Sequence, residues 1–222
     1  MFDHSFSTIG VTPLRRPVSG AVEDVRGSRL FWLSKHIFDI VMSVLLLAIF
    51  LPAALVLLAI NPFLNKGPLF FVQTRMGRGC RPFRAYKFRS MTHVSEIQRR
   101  HDDPIERNRI TPLGRIIRKC RLDELPQILN VLKGEMSLIG PRPDYFDHAE
   151  IFLKTVPGYR ERHVVRPGIS GLAQVEVGYV EGSDATRAKV AADLCYITNA
   201  GWSMEARVIV KTLATILFFR GA

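Results

Sequence analysis

The sequence predicts an α+β protein that is mainly helical, with a re-entrant membrane helix near the N-terminus followed by a small β-hairpin. Three observations support this prediction: a long apolar run, two β-rich segments around a glycine turn, and helical apolar spacing in much of the remainder. Amphipathic interfacial helices are expected around a cytoplasmic core. The predicted divisions are a mobile tail over residues 1–34, the membrane helix over 35–62 and the core domain over 63–222.

The apolar run extends from Ile40 to Ile60 and is interrupted only by Ser43 and Pro52. It exceeds the roughly 18 residues expected of a membrane helix, and it lacks the polar face of a surface helix. Both flanks are basic, so both ends are predicted to face the cytoplasm. A re-entrant helix satisfies this requirement, and Pro52 is predicted to break it. The flanking cations are Arg15, Arg16, Arg26, Arg29 and Lys35 upstream, and Lys66, Arg75, Arg78, Arg81 and Arg84 downstream.

Composition restricts the partners of the chain. Lys and Arg number 31 against 20 Asp and Glu, which gives a net charge of +11 and favours acidic lipid head groups, phosphates or nucleic acid. Cys80, Cys120 and Cys195 are far apart and form no CxxC pair. This spacing argues against a zinc site or a disulfide framework and favours a reducing compartment.

The core domain is predicted to begin with a hairpin and to continue as helices. Strands are expected at 69–72 and 82–88, with a turn over 74–81 that contains two glycines. The charged stretch 93–108 includes Asp102-Asp103, for which a solvated loop is favoured over a metal site. Helices are predicted at 111–120, 123–133, 145–156, 186–199 and 203–219, and irregular segments at 140–143 and 166–174.

The last predicted helix has Ser203 as a candidate cap and an apolar end, for which interfacial and core positions are both open. Near the other end of the chain, residues 31–35 are expected at the membrane interface with Trp32 as an anchor.

Asp123-Glu124 is the most informative polar feature. Helix capping explains it in part, because Asp123 can cap, Glu124 suits a first turn, and Pro126 is tolerated there. Two adjacent carboxylates among basic segments also suit phosphate chemistry beside a membrane. Three arginine-bearing elements follow the apolar run, and they contain Arg89, Arg142 and Arg166. The planar guanidinium matches phosphate oxygens, and the two prolines around Arg142 restrict its backbone.

With these motifs the chain closely resembles the bacterial sugar transferase family, the monotopic phosphoglycosyl transferases that initiate glycan and exopolysaccharide assembly. The resemblance covers residues 35–222 and lies mainly in six blocks, at 70–75, 86–91, 109–114, 122–134, 137–143 and 166–174.

The resemblance implies a bacterial enzyme at the cytoplasmic face of the inner membrane. It would transfer a sugar 1-phosphate from a UDP-sugar to undecaprenyl phosphate, release UMP and use Mg²⁺. It implies that Asp123 is the nucleophile, that Glu124 handles metal or protons, and that Arg142 binds phosphate. Both carboxylates are expected to contact the metal, with Arg89 and Arg166 as weaker phosphate-binding candidates.

Two other classes of function are compatible with the charge. One is a membrane-anchored nucleic-acid-binding or regulatory protein, but we recognise no DNA-binding motif or RNA-binding aromatic signature. The other is a basic scaffold for membrane assemblies, which leaves Asp123, Glu124 and Arg142 without a role. The enzyme is therefore the prediction that accounts for most of the sequence.

Overall fold

The computed structural model describes residues 27–92, 103, 106–176 and 183–218. Within them the helices are α1 (Arg29–Leu64), α2 (Pro112–Lys119), α3 (Ile128–Leu132), α4 (Phe146–Thr155), α5 (Leu172–Glu176), α6 (Ser183–Thr198) and α7 (Trp202–Leu217). The strands are β1 (Phe70–Met76), β2 (Pro82–Phe88), β3 (Ser137–Ile139) and β4 (Gly168–Ser170). Short 3₁₀ helices lie at Arg78–Cys80, Arg107–Arg109, Leu122–Gln127 and Glu161–His163. The mainly helical class and the small hairpin are confirmed.

Helix α1 is longer than predicted at both ends. It begins at Arg29, where the Ser28 hydroxyl accepts a hydrogen bond from the Phe31 amide at 3.1 Å. Residues 29–34 are therefore helix and not tail, while the predicted tail over 1–26 lies outside the described residues. The helix continues through Pro52 and Pro62, so the chain stays helical at Pro52, and the predicted re-entrant bend there stays a prediction. A proline removes its own amide donor, but the hydrogen bonds on either side can keep the helix continuous.

Helix α1 has one buried face and one exposed apolar face. The buried residues recur at spacings of four and seven, as expected for one face of a helix: Phe31, Lys35, Asp39, Ser43, Phe50, Leu57 and Asn61. The exposed face is rich in leucine, isoleucine and valine. By length and composition the helix could cross a membrane.

Strands β1 and β2 form the antiparallel hairpin, in which Phe70 pairs with Phe88 and Met76 with Pro82. The second strand has its predicted bounds, whereas the first continues to Met76, so the turn is shorter than predicted. A hydrophobic cluster joins the hairpin to α1, with Phe50 and Leu57 of the helix packed near Phe88, Ile117 and Ile128. This cluster packs α1 against the segment that carries Asp123.

The segment predicted as a loop at 166–174 is instead a parallel strand followed by a short helix. Strand β4 pairs with β3, with Ser137 opposite Gly168 and Ile139 opposite Ser170. The sequence hides this strand because it is only three residues long and has glycine at its start. A second cluster, around Met76, Ile139 and Val165, packs these strands against α4, α6 and α7.

The C-terminal helices occur close to their predicted positions. Ser203 is not the cap of α7, because the cap position is Gly201 and no side chain caps it. At the end of α7, Leu213, Leu217 and Phe218 are 52%, 72% and 68% exposed, so they do not form part of the core of this chain. In the charged stretch 93–108, most residues, including Asp102, lie outside the described part of the chain.

Candidate active site

The chain reverses direction just before the carboxylate pair. Helix α2 starts at a Thr111 cap, whose hydroxyl accepts from the Gly114 amide at 3.0 Å, and ends at Lys119. Arg121 then has a φ of 54°, in the left-handed region, and the 3₁₀ helix Leu122–Gln127 begins. Asp123 is inside this helix and the cap position is Arg121, so the capping explanation of Asp123 is wrong.

Glu124 is neutralised by cations from three different elements. Its Oε1 accepts from Lys87 Nζ of β2 at 3.0 Å and from Arg142 of the loop after β3. Its Oε2 lies 3.6 Å from Arg121 Nη1. Glu124 is only 5% exposed, so these partners supply the charge compensation that a buried carboxylate needs.

Asp123 differs from its neighbour in having no direct partner among the described residues. The residue is 9% exposed, yet no described side chain donates a hydrogen bond to its carboxylate or forms an ion pair with it. The surrounding cations act on it only at longer range, chiefly Lys87, with Arg118 and Arg142. The site therefore holds one paired carboxylate and one carboxylate whose oxygens are available to a substrate.

The two carboxylates have pKa values shifted in opposite directions. Burial raises the pKa of Asp123, and the charge of Glu124 adds to that increase against the opposing effect of Lys87. Burial alone would raise the pKa of Glu124 too, but Arg142 and Lys87 outweigh it and hold the pKa well below its usual value. Adjacent carboxyl groups with separated pKa values are typical of sites in which the two have different roles.

The loop that carries Arg142 is fixed by close backbone packing. Strand β3 leads into Gly140-Pro-Arg-Pro143, and the Gly168 amide donates to the Pro141 carbonyl at 2.9 Å. A Cβ on Gly168 or Gly171 would overlap the backbone of Gly140, so only glycine permits this approach. The Arg166-Pro-Gly block thus supports the Arg142 loop, a role that its sequence alone does not indicate.

Arg162 holds the same loop from the inside of the protein. Its side chain has no exposure, and its guanidinium donates to the Arg142 carbonyl at 2.7 Å and to Asp144 at 2.5 Å. Asp193 lies 2.7 Å from the same guanidinium, and the Tyr159 hydroxyl donates to Asp144 at 2.8 Å. A buried ionic network therefore sets the backbone position from which Arg142 reaches Glu124.

Sequence reasoning missed Lys87 as a site residue. It lies in the same block as Arg89, and burial lowers its pKa to about 8, with Glu124 opposing that shift. Asn130 helps to place it, because its Oδ1 accepts from the Tyr86 backbone amide at 3.1 Å and its Nδ2 donates to the Arg84 carbonyl at 2.7 Å. Successive side chains of a strand point to opposite faces, so Lys87 lies on the other face of β2 from Tyr86 and Phe88. This alternation is the sequence signal that could have identified Lys87.

Arg89 and Arg166 are not brought to the carboxylate pair. Arg89 is buried and donates to the backbone carbonyls of Pro68, Asn65 and Met91, which ties down the end of α1. Arg166 contacts His36 of α1 at 2.9 Å. These contacts favour structural or separate binding roles, and of the three predicted phosphate-binding arginines only Arg142 contacts the pair.

The carboxylates and cations suit a phosphorylated substrate. Lys87, Arg121 and Arg142 form ion pairs with Glu124 and so place three cationic groups beside Asp123. Among the described residues no group of three His, Cys, Asp or Glu side chains could hold a metal. Asp123 and the Oε2 of Glu124 suit an ion that also takes substrate phosphate and water, as Mg²⁺ does.

Comparison with known proteins identifies relatives of the chain. Residues 30–219 match the family described as bacterial sugar transferase. The chain is 43% identical over 195 residues to a UDP-N-acetylgalactosamine-undecaprenyl-phosphate N-acetylgalactosaminephosphotransferase of Aeromonas hydrophila, covering 88% of this chain and 46% of that protein. It is 38% identical to a UDP-glucose:undecaprenyl-phosphate glucose-1-phosphate transferase of Caulobacter vibrioides, covering 83% and 70%.

The exopolysaccharide production protein PSS of Rhizobium leguminosarum is also similar, at 37% identity with 82% and 94% coverage. The chain therefore spans about half the length of the Aeromonas relative and nearly all of the Rhizobium relative. The matched residues include Asp123, Glu124 and the three cations that pair with Glu124, namely Lys87, Arg121 and Arg142.

Proposed function

The chain belongs to the bacterial sugar transferase family, and we propose that it transfers a sugar 1-phosphate from a UDP-sugar to undecaprenyl phosphate. The product would be a lipid-linked sugar that starts exopolysaccharide or glycan assembly. The names of its relatives support this donor and acceptor. Because the names of those relatives give different sugars, the sugar that this chain transfers has to be determined by experiment.

The single observation that carries the proposal is the contrast between Asp123 and Glu124. An ionised carboxylate needs no base to attack phosphorus, and Asp123 is the carboxylate of the pair to which no cation among the described residues is bonded. Glu124 is held by Lys87 and Arg142, which makes it a positioning anion for those two donors. This division of roles favours Asp123 as the nucleophile.

The proposed reaction has two displacement steps at one phosphorus atom. An Asp123 carboxylate oxygen attacks the sugar-bearing phosphorus, and the bond from that phosphorus to the bridging oxygen breaks with its electron pair leaving on UMP. An oxygen of undecaprenyl phosphate then attacks the same phosphorus, and the bond to Asp123 breaks to restore the carboxylate. Arg142 and Lys87 stabilise negative charge on the phosphoryl oxygens in both steps.

Mg²⁺ is proposed as the cofactor, bound by Asp123, by Oε2 of Glu124 and by the donor diphosphate. When bound, the ion would neutralise the diphosphate and make UMP a better leaving group. Glu124 can contribute only one oxygen, since Lys87 and Arg142 occupy the other. Because the protein supplies only a few oxygen ligands, the metal is expected to bind reversibly.

The re-entrant arrangement of α1 is part of the proposal. Near its start, Lys35 donates to Glu205 at 2.7 Å, and Asp39 accepts from the Ser137 hydroxyl at 2.7 Å. Near its end, the Asn65 amide donates to the Arg89 carbonyl at 2.8 Å. Contact of both ends with the same folded body supports placing both on the cytoplasmic face of the bacterial inner membrane. The exposed apolar faces of α1 and α7 would then lie in the lipid.

Purified protein should be incubated with undecaprenyl phosphate, Mg²⁺ and a panel of UDP-sugars while UMP release is measured. One sugar should support turnover, and excess EDTA should stop it reversibly. Asp123→Asn should lower turnover at least about 1,000-fold, because an amide is a poor nucleophile, while the protein remains folded. Release of UMP by Asp123→Asn at the normal rate would contradict the proposal.

A further inference from the structure

A basic cavity lies beside the first turns of α1, away from the carboxylate pair. It has a volume of about 500 Å³, and its lining includes Arg29, Trp32 and His36 of α1 together with Arg78, Val164 and Arg166. Three arginines from three separate chain segments thus converge on one space. None of them contacts Asp123 or Glu124 among the described residues, so this cavity is distinct from the active site.

The charge in the cavity is not balanced by the protein. The acidic residue in its lining is Asp39, which is already engaged by Ser137 and by Lys35 at 3.6 Å. Among the described residues, Arg29, Arg78 and Arg166 form no ion pair with a carboxylate. Arg78 donates to the Val164 carbonyl at 3.1 Å, which leaves the other nitrogens of its guanidinium as donors.

The contact between Arg166 and His36 adds a further donor. Arg166 Nη1 lies 2.9 Å from His36 Nδ1. A guanidinium can only donate, so Nδ1 is the acceptor in this contact and Nε2 is the ring nitrogen that can donate. The cavity therefore combines three guanidinium groups with an imidazole N–H donor.

The position of the cavity indicates where a ligand would come from. Leu33 also lines it and is 58% exposed, and neighbouring Leu30 and Ile37 are exposed on the same helix. Trp32 is an amphipathic side chain of the type found at the level of lipid head groups. The cavity is thus basic inside and apolar at its rim.

We propose that this cavity is a binding site for an anionic phosphoryl group, supplied by a phospholipid head group at the membrane surface or by free phosphate. Arginine is suited to this ligand because its planar donors match phosphate oxygens in pairs. The site would fix the first turns of α1 at the head-group level. It also gives Arg166 a binding role that is separate from the sugar-phosphate transfer.

The test uses Trp32 as a reporter in the full chain in a neutral detergent. The chain has two tryptophans, so Trp202→Phe leaves Trp32 as the only one. Dioctanoyl phosphatidylglycerol, dioctanoyl phosphatidylcholine and inorganic phosphate are titrated separately. Arg29→Gln with Arg78→Gln removes two exposed cavity arginines, and Arg81→Gln with Arg84→Gln is the control with the same charge change outside the cavity.

Phosphatidylglycerol should give a saturable Trp32 response that becomes at least about tenfold weaker in Arg29→Gln/Arg78→Gln and is unchanged in the control. An equal response to inorganic phosphate would identify free phosphate as sufficient, and a response to phosphatidylglycerol alone would identify the lipid. Equal binding of phosphatidylcholine, or equal weakening in the control, would overturn the proposal. So would the absence of both a Trp32 response and bound phosphatidylglycerol in native mass spectrometry.

Discussion

At the scale of single residues, Asp123 and Glu124 are adjacent in sequence but have opposite surroundings. Glu124 accepts from Lys87 and Arg142, which lie on separate elements, whereas Asp123 is buried and has no direct partner in the part of the chain that the structure describes. A paired anion stabilises the positions of the cations, and an unpaired anion remains available to react. The chemistry of the proposed site depends on this difference.

Arg142→Lys tests the phosphate-binding role of the guanidinium. Lysine keeps the charge but cannot donate two parallel hydrogen bonds, so kcat should fall by about 100-fold. Arg84→Lys, on the exposed side of β2, is the matched control and should retain normal kinetics. Steady-state UMP release measures both variants, and near-normal turnover by Arg142→Lys would favour a structural role for Arg142.

His163 is predicted to make the protein sensitive to acid. Burial, reinforced by the charge of Arg162, lowers the pKa of His163 from 6.5 to about 3. Below about pH 6.5 the imidazole of His163 is therefore protonated in the unfolded chain but stays neutral in the folded protein. As a result, the free energy of unfolding decreases as the pH falls. This residue should cost about 1.4 kcal/mol of unfolding free energy per pH unit below that point.

His163→Gln should reduce this loss because glutamine does not titrate. The melting temperature in detergent at pH 7, 6 and 5 measures the loss of stability. The control is His148→Gln, which replaces a half-buried histidine. The same loss of melting temperature in His163→Gln and in the unaltered protein would show that other groups cause the acid sensitivity.

At the scale of elements, the sequence predicted those parts whose signal is local. The bounds of β2, the position of helix α2 and the existence of the apolar helix follow from strand propensity, helical apolar spacing and hydropathy. Strand β4 could not be predicted, because a three-residue parallel strand is stabilised by its pairing with β3 and not by its own composition.

Of the candidate site, the sequence likewise predicted only some of the residues. Asp123, Glu124 and Arg142 belong to recognisable motifs, and the structure brings Glu124 and Arg142 together. Lys87, Asn130 and Arg162 were missed because their roles arise from contacts between segments 20 to 46 residues apart. Such contacts have no periodic signal in one sequence. Arg89 has an evident motif, yet its donors bind backbone carbonyls at the end of α1.

Helix α1 is predicted to enter and leave the membrane on the same side. Contacts at both ends join it to one folded body, through Lys35 and Glu205 near its start and through Asn65 and the Arg89 carbonyl near its end. In a background without the three cysteines, Ser5→Cys should resist an impermeant maleimide in intact cells. It should react after permeabilisation, and labelling in intact cells would instead indicate a single span.

At the scale of the whole molecule, topology and chemistry depend on each other. The cluster around Phe50, Leu57, Phe88 and Ile128 joins α1 to the segment that carries Asp123. A helix held in one leaflet would therefore place this carboxylate near the level of lipid phosphates. A soluble UDP-sugar and a membrane-bound acceptor could then reach the same carboxylate in succession, as two successive displacements require.

The most direct test of the proposed mechanism is the intact mass of the protein after incubation with its UDP-sugar and Mg²⁺ in the absence of undecaprenyl phosphate. A covalent phosphosugar should form on Asp123 with stoichiometric release of UMP, and added undecaprenyl phosphate should discharge it. Asp123→Asn should show no mass increase. A phosphosugar on another residue, or UMP release that occurs only when the lipid acceptor is present, would contradict the mechanism.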